Sequence, residues 1–389
     1  MISEVTLMND NKAVFTKYEE KYVLMHIKGN RAENIYAYPS LDDMPIGTII
    51  NCRIEKQLDG MDSGFVMYDS KKQGFINKKI KCGTVMPLMY KKEAYDDKKP
   101  VFSDKLTIDG TYVVATDGES YVKASSKIDE ERKKEYIDAV FEKAKELSIG
   151  VIIRTSVDNT KDGISLALDE MRKIKETFDA IRERSQHVPQ YTVLYRPIPA
   201  FIKDILYLCG QGIEEIVTDD ELIREKLEGG YETVTGPVSL TDRVRLRFYD
   251  DPLVNLCKLY SFNAKISEAC GRRVYLKSGA YITIDHTEAC TVIDVNSAKT
   301  DAKSVLAVNK EAAYESIRQL RLRGISGMIL IDFINMQTSE EYDELEGIIK
   351  QAAASERIHT GFIDFTGLGI AELVRDRTGR ELAAVLRSR

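Results

Sequence analysis

The chain has 389 residues, 43% of them hydrophobic and 30% charged, with a formal net charge of −6 at pH 7, a composition typical of a globular protein built from several modules. No run of about 18 apolar residues predicts a membrane helix, and the N-terminus lacks a signal peptide's basic start and apolar block, so we expect a cytoplasmic protein without membrane contact. Six scattered cysteines without a C-x-x-C pair argue against a disulfide framework and a zinc site.

The first two thirds of the chain predict strands followed by alternating helices and strands. Residues 1–34 contain alternating apolar positions typical of two or three strands. Short strands and turns over residues 34–104 predict a small antiparallel barrel. A strand in LTIDGTYVVAT then precedes an amphipathic helix over residues 129–148, a buried strand in IGVIIRTSV and a second helix over residues 162–188.

Two apolar strands in the last third of the chain end in polar side chains. The strand ACTVIDVN contains Asp294 and Asn296, and the strand GMILIDF contains Asp332. Residues 302–322, which lie between them, have the apolar spacing of a helix. A strand–helix–strand unit of this kind predicts a parallel crossover, which places both aspartates toward the carboxyl ends of their strands, where open α/β sheets bind ligands.

The chemistry of these side chains favours a divalent metal ion. Side chains alternate along a strand, so Asp294 and Asn296 point to one face. Two converging carboxylates repel each other, and a hard cation relieves that repulsion, so the pattern predicts Mg²⁺, with Mn²⁺ as the alternative. Such an ion would polarise a phosphodiester and lower the pKa of a bound water. Asn296 would then contact the scissile phosphate or orient Asp294.

The helix before the second strand ends in an arginine-rich stretch. Because guanidinium groups match phosphate geometry, we expect this stretch to hold a nucleic-acid backbone through Arg318, Arg321 and Arg323. The residues alone leave an alternative open, in which Asp294 and Asp332 cap the following helix or pair with these arginines.

Three stretches of the chain resemble the catalytic core of the ribonuclease E/G family: YITIDHTEACTVIDVNSAKT, NKEAAYESIRQLRLRGISGMILIDFINM and LGIAELVRDR. The resemblance implies magnesium-dependent cleavage of single-stranded RNA and a homodimer. It also implies an α/β multidomain fold with an RNase H-like subdomain (1–34 and 215–277), an OB-fold RNA-binding barrel (35–104), a 5′-sensor region (105–214) and a DNase I-like catalytic subdomain (278–389).

The resemblance also assigns roles to residues. Asp294 and Asp332 would be the magnesium ligands, and Asn296 the third active-site residue. In GFVMYDSKKQGFI, Phe65 and Phe75 would grip unpaired bases, although burial in the barrel core is the alternative for each. The stretches GTYVV and IIRTSV would sense a 5′-terminal phosphate through Gly110, Val114, Arg154 and Thr155.

The chain also departs from the family pattern. His359 stands near the position of a basic residue that assists the sensor, with Arg357 close by as a substitute. A lysine expected near the last barrel strand has no clear counterpart, although Lys98, Lys99 and Lys105 are nearby. No C-P-x-C motif follows the core, so we expect no zinc and no zinc-linked tetramer.

Two other functions fit the sequence. One is a non-catalytic RNA-binding scaffold that has kept the barrel. The other is a metal-dependent phosphodiesterase with another nucleic-acid substrate.

Overall fold

The structure is a computed structural model that describes residues 11–58, 60–94, 98–297, 304–377 and 379–387. The strands of these residues are β1 (Asn11–Tyr18), β2 (Lys21–Lys28), β3 (Arg31–Tyr38), β4 (Ile49–Gln57), β5 (Gly64–Met67), β6 (Gln73–Ile76), β7 (Val85–Lys92), β8 (Val101–Ser103), β9 (Thr107–Asp109), β10 (Val113–Asp117), β11 (Val122–Ala124), β12 (Ile149–Ile153), β13 (Val193–Tyr195), β14 (Glu215–Thr218), β15 (Tyr231–Thr233), β16 (Gly236–Val238), β17 (Arg245–Phe248), β18 (Arg273–Tyr275), β19 (Tyr281–His286), β20 (Cys290–Asn296), β21 (Gly327–Asp332), β22 (Thr360–Phe365) and β23 (Ile370–Arg375). The helices are α1 (Glu130–Leu147), α2 (Gly163–His187), α3 (Ala200–Gly210), α4 (Glu221–Glu228), α5 (Leu256–Leu259), α6 (Phe262–Cys270), α7 (Val305–Arg323), α8 (Ser339–Ala354) and α9 (Leu382–Arg387).

The chain divides into two compact units, each assembled from segments that are distant in sequence. The first unit contains the described residues within 1–41, 205–228 and 241–389, and the second contains those within 42–204 and 229–240. This mixed α/β architecture agrees with the predicted fold class, whereas the named subdomains and their boundaries stay predictions. No helix in the described ranges is long and apolar enough to cross a membrane.

A closed five-stranded barrel lies in the second unit. Its strands follow the order β4-β5-β6-β8-β7, and β7 pairs back with β4. Alternate side chains fill the interior, including the fully buried Val66, Ile76 and Phe102. A Cβ atom at Gly74 would lie 2.5 Å from the Phe102 ring, so this position requires glycine. The predicted small barrel is confirmed, except that β6 and β8 pair in parallel rather than antiparallel.

A four-stranded sheet of the second unit, in the order β11-β12-β10-β9, shares a core with this barrel. Helices α1 and α2 cover one face, where Val113, Val151 and Phe178 are fully buried. Ile49 and Met89 of the barrel belong to the same core. The opposite face of the sheet carries polar and partly exposed side chains.

The first unit contains two sheets. The five-stranded sheet has the order β17-β14-β1-β2-β3 and packs against α6 and the C-terminal part of α7. The six-stranded sheet has the order β18-β19-β20-β21-β23-β22, and its parallel strands β20 and β21 are joined through α7. The predicted strand–helix–strand crossover is therefore confirmed. Residues 302 and 303 of the predicted helix lie outside the described residues.

Only one face of the six-stranded sheet is covered by helices in the described structure. Ile293 and Ile331 point to the covered face and are fully buried among apolar side chains of α7 and α8. On the other face, Met328 is 49% exposed and Val374 is 41% exposed. Ser304 caps α7 by accepting a hydrogen bond from Ala307, which fixes where the helix begins.

Candidate functional site

Asp294 and Asp332, which we call the acid pair, lie opposite each other on the parallel strands β20 and β21. Neighbouring strands are about 4.8 Å apart, so the two side chains emerge side by side. They leave the uncovered face of the sheet, and both are exposed. Within the described residues, neither carboxylate forms an ion pair. The predicted convergence of the two aspartates is therefore present in the fold.

Asn296 lies on the same strand and face as Asp294. Its side-chain Nδ2 donates a hydrogen bond of 2.6 Å to Oδ2 of Asp294. This contact restricts the carboxylate to one orientation, as one of the two predicted roles of Asn296 requires. Residues 298–303, which follow this strand, lie outside the described residues.

The structure argues against the structural alternative for the acid pair. The side chains that cap the helices after β20 and β21 are Ser304 and Thr338, not aspartates. Arg272 is a cation whose charge interacts with Asp294, but it makes hydrogen bonds of 2.5 and 2.6 Å to Asp285. Asp285 first, and then Asp294, raises the pKa of Arg272.

The acid pair fits a hard divalent cation. Two exposed carboxylates held next to each other repel unless a positive charge lies between them. No group of three or more acidic, histidine or cysteine side chains in the described chain is arranged to hold a metal ion. Magnesium accepts a site of two carboxylates because it keeps several waters and binds substrate oxygens directly.

The three arginines predicted to hold RNA stabilise the fold. Arg318 is 8% exposed and donates to the Glu315 carboxylate at 2.8 Å and to the Ala32 carbonyl at 2.7 Å. Arg323 is also buried and donates to Gln319 at 2.7 Å.

Arg321 is tied into the same region. Its Nε donates to the Glu33 carbonyl at 3.2 Å, and its guanidinium pairs with the buried Glu356. All three guanidinium groups are thus committed to α7, β3 and their surroundings. Arg318 and Arg323 are buried, whereas the Arg321 side chain is 24% exposed, and a contact of the three with an RNA backbone stays a prediction.

Phe65 and Phe75, the aromatic pair, face each other on neighbouring barrel strands. Their ring centroids are 5.9 Å apart and the ring planes meet at 67°. Both are half-buried, whereas their strand neighbours Val66 and Ile76 fill the barrel interior. The alternative in which the two rings form the barrel core is therefore wrong. Nζ of Lys99 lies 5.7 Å from the Phe65 ring centroid, which singles out one of the three candidate lysines.

The four predicted phosphate-sensing residues lie on β10, β12 and the adjoining loops of the four-stranded sheet. Val114 pairs with Ile152 of β12, and Arg154 and Thr155 follow that strand directly. Nη1 of Arg154 donates to the Gly110 carbonyl at 3.1 Å. Gly110 and Arg154 are therefore in contact, beside the outer face that carries Val114.

Comparison with known proteins identifies the family to which the chain belongs. A family model described as the Ribonuclease E/G family matches residues 107–378, which is well over half of the chain. The protein belongs to the ribonuclease E/G family. The resemblance predicted from the sequence is thereby confirmed.

Named members of the ribonuclease E/G family are similar to most of this chain. Ribonuclease E of Nostoc sp. is 29% identical over 365 residues, which cover 87% of this chain and 52% of the relative. Ribonuclease G of Escherichia coli is 26% identical over 372 residues, which cover 88% of this chain and 74% of the relative. The chain thus spans about half the length of that ribonuclease E.

Glu170 is a residue of this family member that sequence reasoning missed. Its carboxylate is 1% exposed and accepts the backbone N–H groups of Thr111, Tyr112 and Val113 at 2.6, 2.7 and 2.8 Å. A Cβ atom at Gly110 would lie 2.4 Å from the carboxylate carbon, so only glycine fits there. Glu170 therefore holds the turn that begins at Gly110. Its position on the apolar face of a predicted helix was the available signal.

The two basic residues weighed as partners of the sensor belong to the first unit. The Arg357 guanidinium carbon lies 4.7 Å from the Tyr207 ring centroid, and His359 is exposed. Their role toward a 5′ phosphate stays a prediction.

Proposed function

We propose that this ribonuclease E/G family member is a magnesium-dependent endoribonuclease that cleaves single-stranded RNA. The observation that carries the proposal is the acid pair, which faces solvent on neighbouring strands without any ion-pair partner in the described residues. The names of its relatives, ribonuclease E and ribonuclease G, support RNA as the substrate. Binding RNA alone would not require two carboxylates that repel its phosphates.

Each active-site residue has a distinct task in this proposal. Asp294 and Asp332 hold the metal ion, which when bound supplies a Lewis acid and a water of lowered pKa. Asn296 keeps the Asp294 carboxylate in place through its 2.6 Å hydrogen bond. An amide group has two N–H donors, so the second N–H of Asn296 remains for a phosphate oxygen of the substrate.

The aromatic pair supports unpaired RNA as the form of substrate. Rings on the outside of a barrel stack on bases of any identity, and a base must be unpaired to offer its face. Lys99 next to Phe65 adds a positive charge for the adjoining phosphate. We therefore assign the grip on single-stranded RNA to Phe65, Phe75 and Lys99.

We also propose that the 5′ end of the RNA binds at Gly110, Val114, Arg154 and Thr155. Arg154 supplies the positive charge, and its contact with the Gly110 carbonyl fixes its guanidinium beside the turn. A terminal monophosphate carries more negative charge than a phosphodiester, which favours it at such a site. Processing of ribosomal or transfer RNA, or decay of messenger RNA, by a cytoplasmic homodimer completes the proposal.

The test compares Asp294→Asn and Asp332→Asn with the matched control Asp343→Asn. Asp343 is an exposed aspartate of α8, which covers the opposite face of the same sheet. We expect both acid-pair variants to lose at least about a hundredfold in RNA cleavage, since metal activation supplies several kcal/mol. Calorimetric titration with Mg²⁺ and with Mn²⁺ should show weakened binding for the acid-pair variants only.

The same experiment separates the alternatives. Wild-type protein that binds RNA but never cleaves it, with or without magnesium, would indicate a scaffold. A preference for duplex DNA over matched RNA would indicate a different phosphodiesterase. Equal cleavage by wild type and Asp294→Asn would remove the acid pair from catalysis.

A further inference from the structure

A cleft of about 430 Å³ lies between the barrel and the outer face of the four-stranded sheet, within the second unit. Its polar lining comes from both elements. Three lysines, four hydroxyl residues and one glutamate line it: Lys91, Lys105, Lys123, Ser103, Thr107, Thr116, Tyr121 and Glu119. We call it the lysine cleft. None of these residues has a part in the active site, the aromatic pair or the phosphate-sensing set.

The cleft is built from a bulged barrel strand and the outer face of the four-stranded sheet. Where β7 pairs with β8, the register shifts between Tyr90 and Lys92, which leaves Lys91 as the extra residue of a bulge. A bulge redirects the side chain of its extra residue away from the regular alternation. Lys123 comes from the edge strand β11, so two separate strands bring their charges to one place.

The charges in the lysine cleft are not balanced. Lys105 pairs with Glu119, an ion pair of 2.5 Å that also raises the pKa of Lys105. Lys91 and Lys123 have no acidic partner among the described residues. Nζ of Lys123 instead lies 5.6 Å from the ring centroid of Tyr121. Two uncompensated positive charges therefore face the cleft, and they attract an anion.

Three of the hydroxyl groups form a hydrogen-bonded chain in which one O–H donor remains unused. Oγ1 of Thr107 lies 3.3 Å from Oγ1 of Thr116, which lies 3.1 Å from the Tyr121 hydroxyl oxygen. Each hydroxyl has one proton, and two contacts use two of the three. The remaining O–H can donate to an oxygen of the bound anion, so the cleft offers both charge and a directed donor.

The position of the cleft identifies the anion. Thr116 lies two residues along β10 from Val114 on the same face, which corresponds to about 7 Å. On the barrel side, Phe75 pairs with Val101, and Val101 pairs with Lys92 beside the bulge. The cleft thus lies between the proposed 5′-phosphate site and the aromatic pair.

We propose that the lysine cleft binds backbone phosphates of the RNA segment that runs from the 5′ end to the bases stacked on the barrel. This inference rests on the proposed function, because it takes single-stranded RNA as the ligand. It adds a contact that holds the RNA between two separate sites. Inorganic pyrophosphate offers the same phosphate chemistry, so the experiment includes it as a competing ligand.

The experiment measures RNA binding by the full chain in EDTA, where metal-dependent cleavage does not accompany binding. Lys91→Gln/Lys123→Gln is compared with Lys134→Gln/Lys173→Gln, whose lysines are exposed on α1 and α2. These helices cover the opposite face of the same sheet. Lys105 is left unchanged, since its removal would leave Glu119 without its partner.

The expected result is a change in salt dependence. Each phosphate contact with single-stranded nucleic acid contributes about −0.7 to the slope of log K against log salt, so two lost contacts reduce the slope by about 1.4. When salt is raised from about 50 to about 200 mM, RNA affinity falls for both proteins, and the factor by which it falls should be roughly sevenfold smaller for the cleft variant than for wild type. The helix control should keep the wild-type slope, and Lys91→Arg/Lys123→Arg should restore it.

Neutral methylphosphonate linkages locate the contact on the RNA. Placed in the first few linkages, they should weaken binding to wild type but have no further effect on the cleft variant. If pyrophosphate binds wild type in a lysine-dependent way while the RNA slope is the same for all variants, the cleft is a small-anion site and the inference is overturned.

Failure of this inference is distinguishable from failure of the proposed function. Wild type that binds and cleaves RNA, with equal slopes for the cleft variant and the helix control, overturns the lysine cleft alone. Wild type that neither binds nor cleaves RNA overturns both.

Discussion

Replacing Glu170 by glutamine should loosen the turn that begins at Gly110 and so disturb the proposed 5′-phosphate site. In the structure, one carboxylate oxygen accepts from Thr111, and the other accepts from both Tyr112 and Val113. A glutamine amide has a single oxygen, so its NH₂ group must face at least one backbone N–H. One backbone N–H group that donated to a charged oxygen in the wild type is then left buried without an acceptor.

The magnitude follows from these three bonds. Losing one bond and leaving its donor buried costs about 2 kcal/mol, and the other two each weaken by about 1 kcal/mol when the acceptor loses its charge. The sum of about 4 kcal/mol would increase the local opening equilibrium by roughly a thousandfold. RNA with a 5′ monophosphate should correspondingly lose its advantage over RNA with a 5′ hydroxyl.

Amide hydrogen exchange of the full chain, followed by mass spectrometry of peptides that contain residues 110–114, measures this change directly. The control is Glu176→Gln, because Glu176 is an exposed glutamate on the same helix. The reasoning is refuted if amide exchange of that peptide in Glu170→Gln is less than about tenfold faster than in wild type. It is also refuted if Glu170→Gln and Glu176→Gln exchange equally fast.

Three further predictions concern other parts of the molecule. Burial lowers the pKa of His26 below its usual value of 6.5, so the unfolded chain takes up the proton first. The folded state therefore keeps its full stability above pH 6.5 and loses stability as the pH falls below 6.5. In His26→Gln, the midpoint of thermal unfolding should change less than in wild type between about pH 7 and about pH 5.5. Arg318→Ala should cost about 3 kcal/mol in a denaturant titration because the buried Glu315 loses its buried partner and keeps the partly exposed Arg31 and the Gln319 amide. An altered salt dependence of RNA binding in that variant would support the predicted RNA contact of Arg318. Phe65→Ala should weaken binding of unstructured RNA roughly tenfold or more, while calorimetry shows unchanged magnesium affinity.

The sequence predicted the crossover that carries the acid pair because its signals are local. Apolar runs define β20 and β21, and helical spacing defines the segment between them. Strand alternation then determines which side chains share a face. These three features need no knowledge of the rest of the chain.

The internal contacts of the α7 arginines were not predicted because their partners are far away in sequence. Arg318 donates to the carbonyl of Ala32, which is 286 positions earlier. An arginine-rich helix end looks the same in the sequence whether it faces solvent or a strand of another sheet. The glutamate three residues before Arg318 was the local sign of an internal pair.

The position of Glu170 on the apolar face of a helix signalled its burial, but its hydrogen-bond partners and the position of Lys91 could not be predicted, for related reasons. The partners of Glu170 are backbone N–H groups, and these leave no mark on the sequence. Lys91 depends on a register shift between strands, which apolar alternation does not encode.

The hydrogen bonds between β20 and β21 determine the distance between Asp294 and Asp332, because the two aspartates occupy paired positions of these strands. Insertions or deletions in the connecting segments would therefore leave the separation of the two carboxylates unchanged. A change of length in those connections would alter what the loops present to the acid pair, while the pair itself keeps its dimensions.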